Sequence, residues 1–445
     1  MFVLAYIGPG AGFAVIGSFA ILFAALLLGL LTLLSLPFRL LMSIFRCRPV
    51  GQVRRCVVIG FDGMDPRRAA TLMDAGRLPN LARMRDIGAF TPLGSTCPPI
   101  SPVAWSTFAT GVNPGKHNIF DFLGRNPKTY LPELSSARIV SAKGSARAAL
   151  LRKSRPFWHL LGERGVFSTI LRVPVSFPPE RFHGLSLSAM CMPDVRGTQG
   201  EFTVFQSAPV AGTVIGGRRI QVMVESDRNG RRCVVRASLP GPRLRGREIS
   251  VPVEVTWSLT VAAAAGCGNI VRHVLSPPEN GAHGTARPTT LNAKLRINGT
   301  RVPLRSGEYT PWVRITFRSG LTRVHAICRF LLVEREPDFR LYVTPLNIDP
   351  EYPAMPISWP HAYSIYLAKI HGLFATLGLA EDAWALTEGV IDDKAFQRQV
   401  SDIHAEREAM FLNALCCTRR GLCVCVFDLT DRIQHTFMRS AECGT

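Results

Sequence analysis

The first apolar run after the N-terminal region ends in an aspartate and a turn. Val53–Phe61 is short, apolar and rich in β-branched residues, which predicts a buried strand. Asp62 follows it in the turn-forming stretch Asp-Gly-Met-Asp-Pro, and Arg67–Asp74 and Leu78–Ile87 then have helical spacing. A strand that delivers a polar residue into a turn before a helix is the arrangement in which α/β proteins place their sites. The pattern therefore predicts an α/β fold with Asp62 at a strand end. The alternative is that Asp62 only caps a helix or forms the turn.

A second apolar run near the other end of the chain has the same design. Leu422–Phe427 is predicted to be a strand, and Asp431 and His435 follow it at a spacing of four residues. On a helix, residues four apart share one face, so this carboxylate and imidazole could bind one metal ion. The alternative is that both are surface residues on an ordinary helix.

A hydroxyl lies where a proline-rich loop enters a helix of small residues, between Cys97 and Gly111. Ser101 is predicted near the helix N-terminus, where free N–H groups and the helix dipole favour an anion. This position suits a nucleophile that attacks a phosphoryl group. The sequence equally fits Ser101 as an N-cap with Pro102 in the first helical position, and both roles can be combined.

Two other patterns are rejected as binding sites. Gly111–His117 resembles a phosphate-binding loop, but it is one residue short between its glycines and has no Ser or Thr after Lys116. The closely spaced Cys416, Cys417, Cys423 and Cys425 suggest a thiolate metal cluster, but free buried thiols are the ordinary state of cysteines in apolar runs. Alternation along a strand would put Cys423 and Cys425 on one face.

The first 38 residues contain no charged residue and no histidine. The apolar stretch from about Gly12 to Leu36 is long enough to cross a bilayer as a helix, and it lacks the basic start of a cleaved signal peptide. Residues 1–38 are therefore predicted to be a single-pass membrane anchor, and residues 39–52 a basic linker. Because the arginines follow the apolar stretch, the bulk of the chain is predicted to be cytoplasmic, with a periplasmic location as the alternative.

The overall charge favours anionic partners. The 445 residues include 52 Lys and Arg against 32 Asp and Glu, a net charge of +20. Such a balance suits phosphorylated substrates, an anionic membrane surface or nucleic acid. Nucleic acid is not expected, because the arginines are scattered and the sequence has no zinc-finger spacing, helix-turn-helix signature or interleaved basic and aromatic stripe.

The segment between the two aspartate-terminated strands changes character. Residues 201–345 contain short β-branched runs separated by Gly, Pro and Asn, and Asn298-Gly299 predicts a hairpin turn within Leu295–Val302. We interpret this segment as an inserted β-rich subdomain. Residues 53–200 and 346–445 are then the two parts of one catalytic α/β domain.

Taken together, Val57–Pro66, Ser101–Phe122 and Phe427–His435 resemble the alkaline phosphatase superfamily, in particular its type I phosphodiesterase/nucleotide pyrophosphatase branch and related phosphohydrolases and phosphomutases. The resemblance implies a sandwich in which helices flank a central, mainly parallel sheet. It also implies hydrolysis of a small-molecule or headgroup phosphoester with two divalent cations, zinc in most of the family. Asp62 would bind one cation, Ser101 would be the nucleophile in contact with it, and Asp431 and His435 would bind the other.

The chain departs from the family pattern in two ways. Ala104 and Phe122 stand where diesterase relatives often have polar residues, so a phosphomonoester or phosphomutase role stays open. The family also has an Asp-His pair and a further His beyond Asp-x-x-x-His, whereas ten residues follow His435 here. The resemblance therefore predicts a C-terminally truncated, impaired enzyme. The alternative is a membrane-tethered binding protein that recognises phosphorylated headgroups or glycans without cleaving them.

Overall fold

The structure is a computed structural model that describes residues 18–32, 34–35, 54–142, 145–210, 212–228, 232–244, 246–258, 293–334 and 339–438. The chain divides into two compact units, Met1–Gln52 and Val53–Thr445. In the first unit, residues 18–32 and 34–35 are helical and their apolar side chains are exposed. No helix within the described ranges is long and apolar enough to cross a membrane. The span predicted from about Gly12 to Leu36 includes residues 12–17, 33 and 36, which lie outside the described set, and it stays a prediction.

The second unit contains both helices and strands. The described helices are α1 (Pro66–Asp74), α2 (Pro79–Ile87), α3 (Ser101–Thr110), α4 (Pro114–His117), α5 (Phe157–Glu163), α6 (Ala362–His371), α7 (Ala383–Thr387), α8 (Asp393–Cys417) and α9 (Leu429–Phe437). The described strands are β1 (Arg55–Phe61), β2 (Leu123–Arg125), β3 (Pro132–Leu134), β4 (Ala137–Ala142), β5 (Ser145–Leu150), β6 (Ser168–Leu171), β7 (Gly184–Leu187), β8 (Phe202–Gln206), β9 (Gly217–Gln221), β10 (Val224–Ser226), β11 (Arg232–Leu244), β12 (Arg247–Ser258), β13 (Ala293–Ile297), β14 (Thr300–Leu304), β15 (Val313–Ser319), β16 (Thr322–Cys328), β17 (Phe330–Glu334), β18 (Arg340–Val343), β19 (Asn347–Ile348), β20 (Ser358–Trp359) and β21 (Gly421–Phe427).

The sheet that positions the predicted site has the strand order β1-β21-β6-β7-β20. The first four strands run parallel to one another, and β20 is antiparallel to β7. The last strand that the structure describes, β21, therefore lies between β1 and β6. Because β1 and β21 pair in register from Arg55 opposite Gly421 to Phe61 opposite Phe427, both strands end at the same edge of the sheet.

Helices cover both faces of this sheet. Along β21, Cys423, Cys425 and Phe427 pack with residues of α6 and α8 on one face. Leu422, Val424 and Val426 point to the other face and belong to a cluster that includes residues of α3 and α5. Side chains of a strand alternate between the two faces, so a strand covered on both sides must be apolar throughout, as β21 is. Cys423 and Cys425 do lie on one face, as predicted, and both are free and buried.

The prediction that β1 is buried is wrong. Val57, Ile59 and Phe61 are 38–43% exposed, although the strand itself forms as predicted. The physical reason is position: β1 is the edge strand of the sheet, whereas β21 has a strand on each side. An apolar run of this length predicts a strand but does not say whether that strand lies inside or at the edge.

Strands between the two aspartate-terminated strands form further sheets. These have the orders β10-β11-β12-β13-β14, β17-β18-β8-β9 and β15-β16-β19. Residues from all three sheets contribute to one large apolar cluster that includes Leu295, Phe317 and Phe330. The hairpin predicted at Asn298-Gly299 is confirmed, because Ile297 pairs with Thr300 and both turn residues have positive φ. The fold is therefore a mixed α/β architecture with a mainly parallel central sheet.

Candidate active site

Two aspartates mark the carboxyl edge of the central sheet. Asp62 directly follows β1 and Asp428 directly follows β21, and the Asp62 N–H donates to the Phe427 carbonyl at 2.9 Å. Both aspartates are buried. Since the carboxyl ends of parallel strands are where α/β proteins place their sites, this edge is the candidate site.

Ser101 faces Asp62. Its hydroxyl donates to Asp62 Oδ1 at 3.1 Å, a bond between residues 39 positions apart in the sequence. The alternative that Ser101 caps its own helix is not observed, because α3 begins at Ser101 and Ile100 is the N-cap residue, without a side-chain cap. Asp62 is no helix cap either: Asp65 fulfils that role for α1, accepting from Arg67 N.

Trp105 is the second donor to Asp62. Its indole N–H donates to Oδ1 at 2.9 Å, and it lies one helical turn after Ser101, on the same face of α3. The indole also packs closely on β1: a Cβ added at Gly60 would lie 2.4 Å from the ring. Sequence reasoning missed Trp105, although its spacing of four residues from Ser101 was the signal that could have found it.

Helix α9 is fastened to the turn after β1. The Thr430 hydroxyl donates to the Asp62 carbonyl at 2.5 Å, and the Gln434 amide donates to the Gly63 carbonyl at 2.6 Å. Gly63 has φ +65°, and an added Cβ would lie 2.9 Å from Asp431 Oδ1. A glycine is therefore required here for two reasons, backbone conformation and the close approach of α9.

The predicted pair on α9 forms as the spacing indicated. His435 Nε2 lies 3.3 Å from Asp431 Oδ1, with the His435 side chain 75% exposed and that of Asp431 15% exposed. A cavity of about 700 Å³ is lined by all four predicted site residues, Asp62, Ser101, Asp431 and His435. Ala104 and Phe122, which stand where diesterase relatives often have polar residues, line the same cavity.

Opposing influences act on the pKa of the Asp62 carboxyl. Burial raises the pKa of its carboxyl above the usual value, the Trp105 hydrogen bond opposes this rise, and the negative charge of Asp431 adds to it. Its second oxygen, Oδ2, is buried and has no hydrogen-bond partner in the described structure. A buried carboxylate oxygen without a partner is costly, and a bound cation would relieve both the missing contact and the repulsion from Asp431.

The donor types of the cavity suit a divalent cation. Carboxylate oxygen and imidazole nitrogen are ordinary zinc ligands. Among the described residues, however, no group of three or more His, Cys, Asp or Glu side chains lies close enough together to form a metal site on its own. Asp62, Asp431 and His435 therefore share the cavity as separate donors.

A buried charge network lies behind this edge. The Arg407 guanidinium on α8 contacts Asp428 and lies 3.0 Å from Glu381, and all three residues are buried. Asp428 is the residue that precedes α9, so the network fixes the start of the helix that carries Asp431 and His435. Asp428 could have been found from sequence by the same signal as Asp62, an aspartate directly after an apolar strand. Arg407, in the middle of a long helix, gave no such signal.

His117 is structural. It is fully buried, accepts the Ile119 N–H at Nδ1 (3.2 Å), and its Nε2 lies 2.9 Å from the Thr107 hydroxyl on α3. Because Nδ1 accepts, Nε2 carries the proton and the ring is neutral. It belongs to the segment that resembles a phosphate loop, and Pro114–His117 forms the short helix α4 there.

This arrangement predicts a pH-dependent stability. Burial, and after it the charge of Arg152, lowers the pKa of His117. Below about pH 6.5, His117 therefore binds a proton more readily in the unfolded chain than in the folded chain. The free energy of unfolding falls as the pH falls through this value. His117→Asn keeps an acceptor for the Ile119 N–H and removes the titration. Thermal unfolding at pH 7.5 and 5.5 should show a smaller pH-dependent loss in the variant, and an equal loss in both proteins would contradict the assignment.

Comparison with known proteins tests the resemblance noted from the motifs. No curated protein and no solved structure matches the chain at a significant level. A family model does match, over residues 56–203, the part that contains Asp62 and Ser101; Asp431 and His435 lie outside the match. The resemblance is thus confirmed for this part of the chain: residues 56–203 match the type I phosphodiesterase / nucleotide pyrophosphatase family, a member of the alkaline phosphatase superfamily.

Proposed function

We propose that this protein is a metal-dependent phosphoester hydrolase with Ser101 as its nucleophile. The family match supports phosphoester hydrolysis at a coarse level. The observation that carries the finer proposal is the hydrogen bond between Ser101 and Asp62 at the mouth of a cavity that Asp431 and His435 also line.

The residues have distinct roles in this proposal. Ser101 at the N-terminus of α3 attacks the phosphorus, and its O–P bond forms as the bond from phosphorus to the ester oxygen breaks. The ester group leaves as an alcohol with the proton that Ser101 gives up, and water then hydrolyses the phosphoserine to phosphate and serine. The N-terminus of α3 favours the negative phosphoryl group. Trp105 holds Oδ1 of Asp62, which leaves Oδ2 available to a cation.

Asp62, Asp431 and His435 would hold the divalent cations, for which we propose zinc. When bound, such ions lower the pKa of a nucleophilic hydroxyl and neutralise charge on the phosphoryl oxygens. The carboxylate of Asp62 and the hydroxyl of Ser101 are already in contact, so a cation held by Asp62 would lie near the nucleophile.

Metal binding can be tested by thermal stability. Zinc that binds only the folded chain should stabilise it by about 2.7 kcal/mol at a concentration a hundredfold above the dissociation constant. Asp62→Asn should remove most of this stabilisation, because it removes the charged ligand, and thermal unfolding with and without zinc measures the difference.

The matched control is Asp74→Asn. Asp74 is an exposed acidic residue of α1 that pairs with Arg85, outside the cavity. This variant should respond to zinc like the unaltered protein. An equal zinc response in Asp62→Asn would contradict the assignment of Asp62.

A further inference from the structure

Arg432 lines the cavity as a cation that has no ion-pair partner among the described residues. It lines the cavity with Ser101, and its Nε is buried without a hydrogen-bond partner. In the part of the chain that the structure describes, its guanidinium forms no ion pair. Other partly buried arginines behave differently: Arg314 pairs with Asp349, and Arg329 with Asp402.

The position of Arg432 is fixed by its helix. It follows Asp431 directly and precedes His435 by three residues on the same helix, and both Arg432 and His435 line the cavity. Thr430 and Gln434 hold α9 against the turn after β1. A planar guanidinium can donate two parallel hydrogen bonds to an oxyanion, and phosphoryl oxygens fit this geometry.

The lining of the cavity includes four large apolar side chains, Ile100, Phe122, Met190 and Leu379, here called the apolar wall. Phe122 is partly exposed there, so a ligand group that covers its ring would bury apolar surface. The cavity thus combines a positive group and the apolar wall with the Ser101 hydroxyl.

We propose that Arg432 binds the nonbridging oxygens of the phosphoryl group and that the apolar wall around Phe122 receives the ester group. The substrate class is then a phosphoester with an aryl or alkyl ester group. This inference rests on the proposed function for the role of the ligand, but the binding site itself can be tested without turnover.

Two ligands that cannot be hydrolysed as phosphoesters test the two halves of the site. Inorganic phosphate carries only the anionic end, and phenylphosphonate adds an apolar ring. In isothermal titration, Arg432→Ala should weaken both ligands by at least about tenfold, because a charge-assisted pair is lost. The control is Arg420→Ala, an exposed arginine at the opposite, amino end of β21, which should change neither affinity more than about twofold.

A second variant tests whether the apolar wall binds the ester group. Phe122→Ser should weaken phenylphosphonate by at least about fivefold and leave phosphate within about twofold, because only the ring contact is lost. Phe120→Ser is the matched control, since Phe120 is 54% exposed and does not line the cavity. Equal loss of both ligands in Phe122→Ser would refute the role of the wall.

Different experimental results would refute the anion site and the proposed function. Unchanged phosphate affinity in Arg432→Ala, or no phosphate binding by the unaltered protein, would refute the anion site. Turnover that survives Ser101→Ala would refute the proposed nucleophile, yet the titrations would still report on Arg432.

Discussion

Replacing Ser101 with alanine is expected to lower kcat for p-nitrophenyl phosphate and bis-p-nitrophenyl phosphate by at least about a thousandfold. The change removes the Ser101 hydroxyl, which donates to the Asp62 carboxylate and would carry the phosphoryl intermediate. The fold should persist, since Asp62 Oδ1 keeps its hydrogen bond from Trp105. Steady-state turnover of both substrates, with thermal unfolding as the check on folding, measures the effect.

The control for this prediction lies on the same helix. Ser106 is buried, and its hydroxyl donates to the Pro102 carbonyl within α3 instead of reaching the cavity. Ser106→Ala removes the same group as Ser101→Ala, a single hydroxyl, and should keep kcat within about threefold of the unaltered protein. If Ser101→Ala retained the kcat of Ser106→Ala, Ser101 would not be the nucleophile.

Replacing Arg407 with methionine is expected to destabilise the fold by about 3–5 kcal/mol. Methionine fills much of the same volume, but Asp428 and Glu381 would lose their ion pairs with Arg407 and keep only the charge of the nearby buried Arg172. Breaking a buried ion pair from one side costs far more than the pair contributes when intact. Denaturant unfolding of the two proteins gives the difference in free energy.

Arg398→Ala is the matched control for Arg407→Met. Arg398 lies on the same helix, is 73% exposed at its side chain and pairs with Asp402 one turn away. Exposed pairs of this kind contribute about 0.5 kcal/mol or less, so this variant should remain close to the unaltered protein. A loss below about 1 kcal/mol in Arg407→Met would show that the network is not the buried support that its geometry indicates.

The local elements of the site were predictable because their causes are local. An apolar run of strand length followed by Asp predicts that Asp62 lies at a strand end, and proline after Ser101 predicts that a helix begins there. The four-residue spacing of Asp431 and His435 placed them on one helix face, and they lie 3.3 Å apart. None of these inferences depends on contacts with residues far away in the chain.

Only the tertiary structure decided which strand is buried and what surrounds Asp62. The pairing of β21 with both β1 and β6 makes one apolar run the interior strand and leaves the other at the edge. The same pairing brings Asp62 to the start of α9 across more than 360 residues and sets Arg407 against Asp428. Sequence patterns record the period and the ends of an element, whereas strand order and the sharing of a buried charge depend on contacts between residues far apart in the chain.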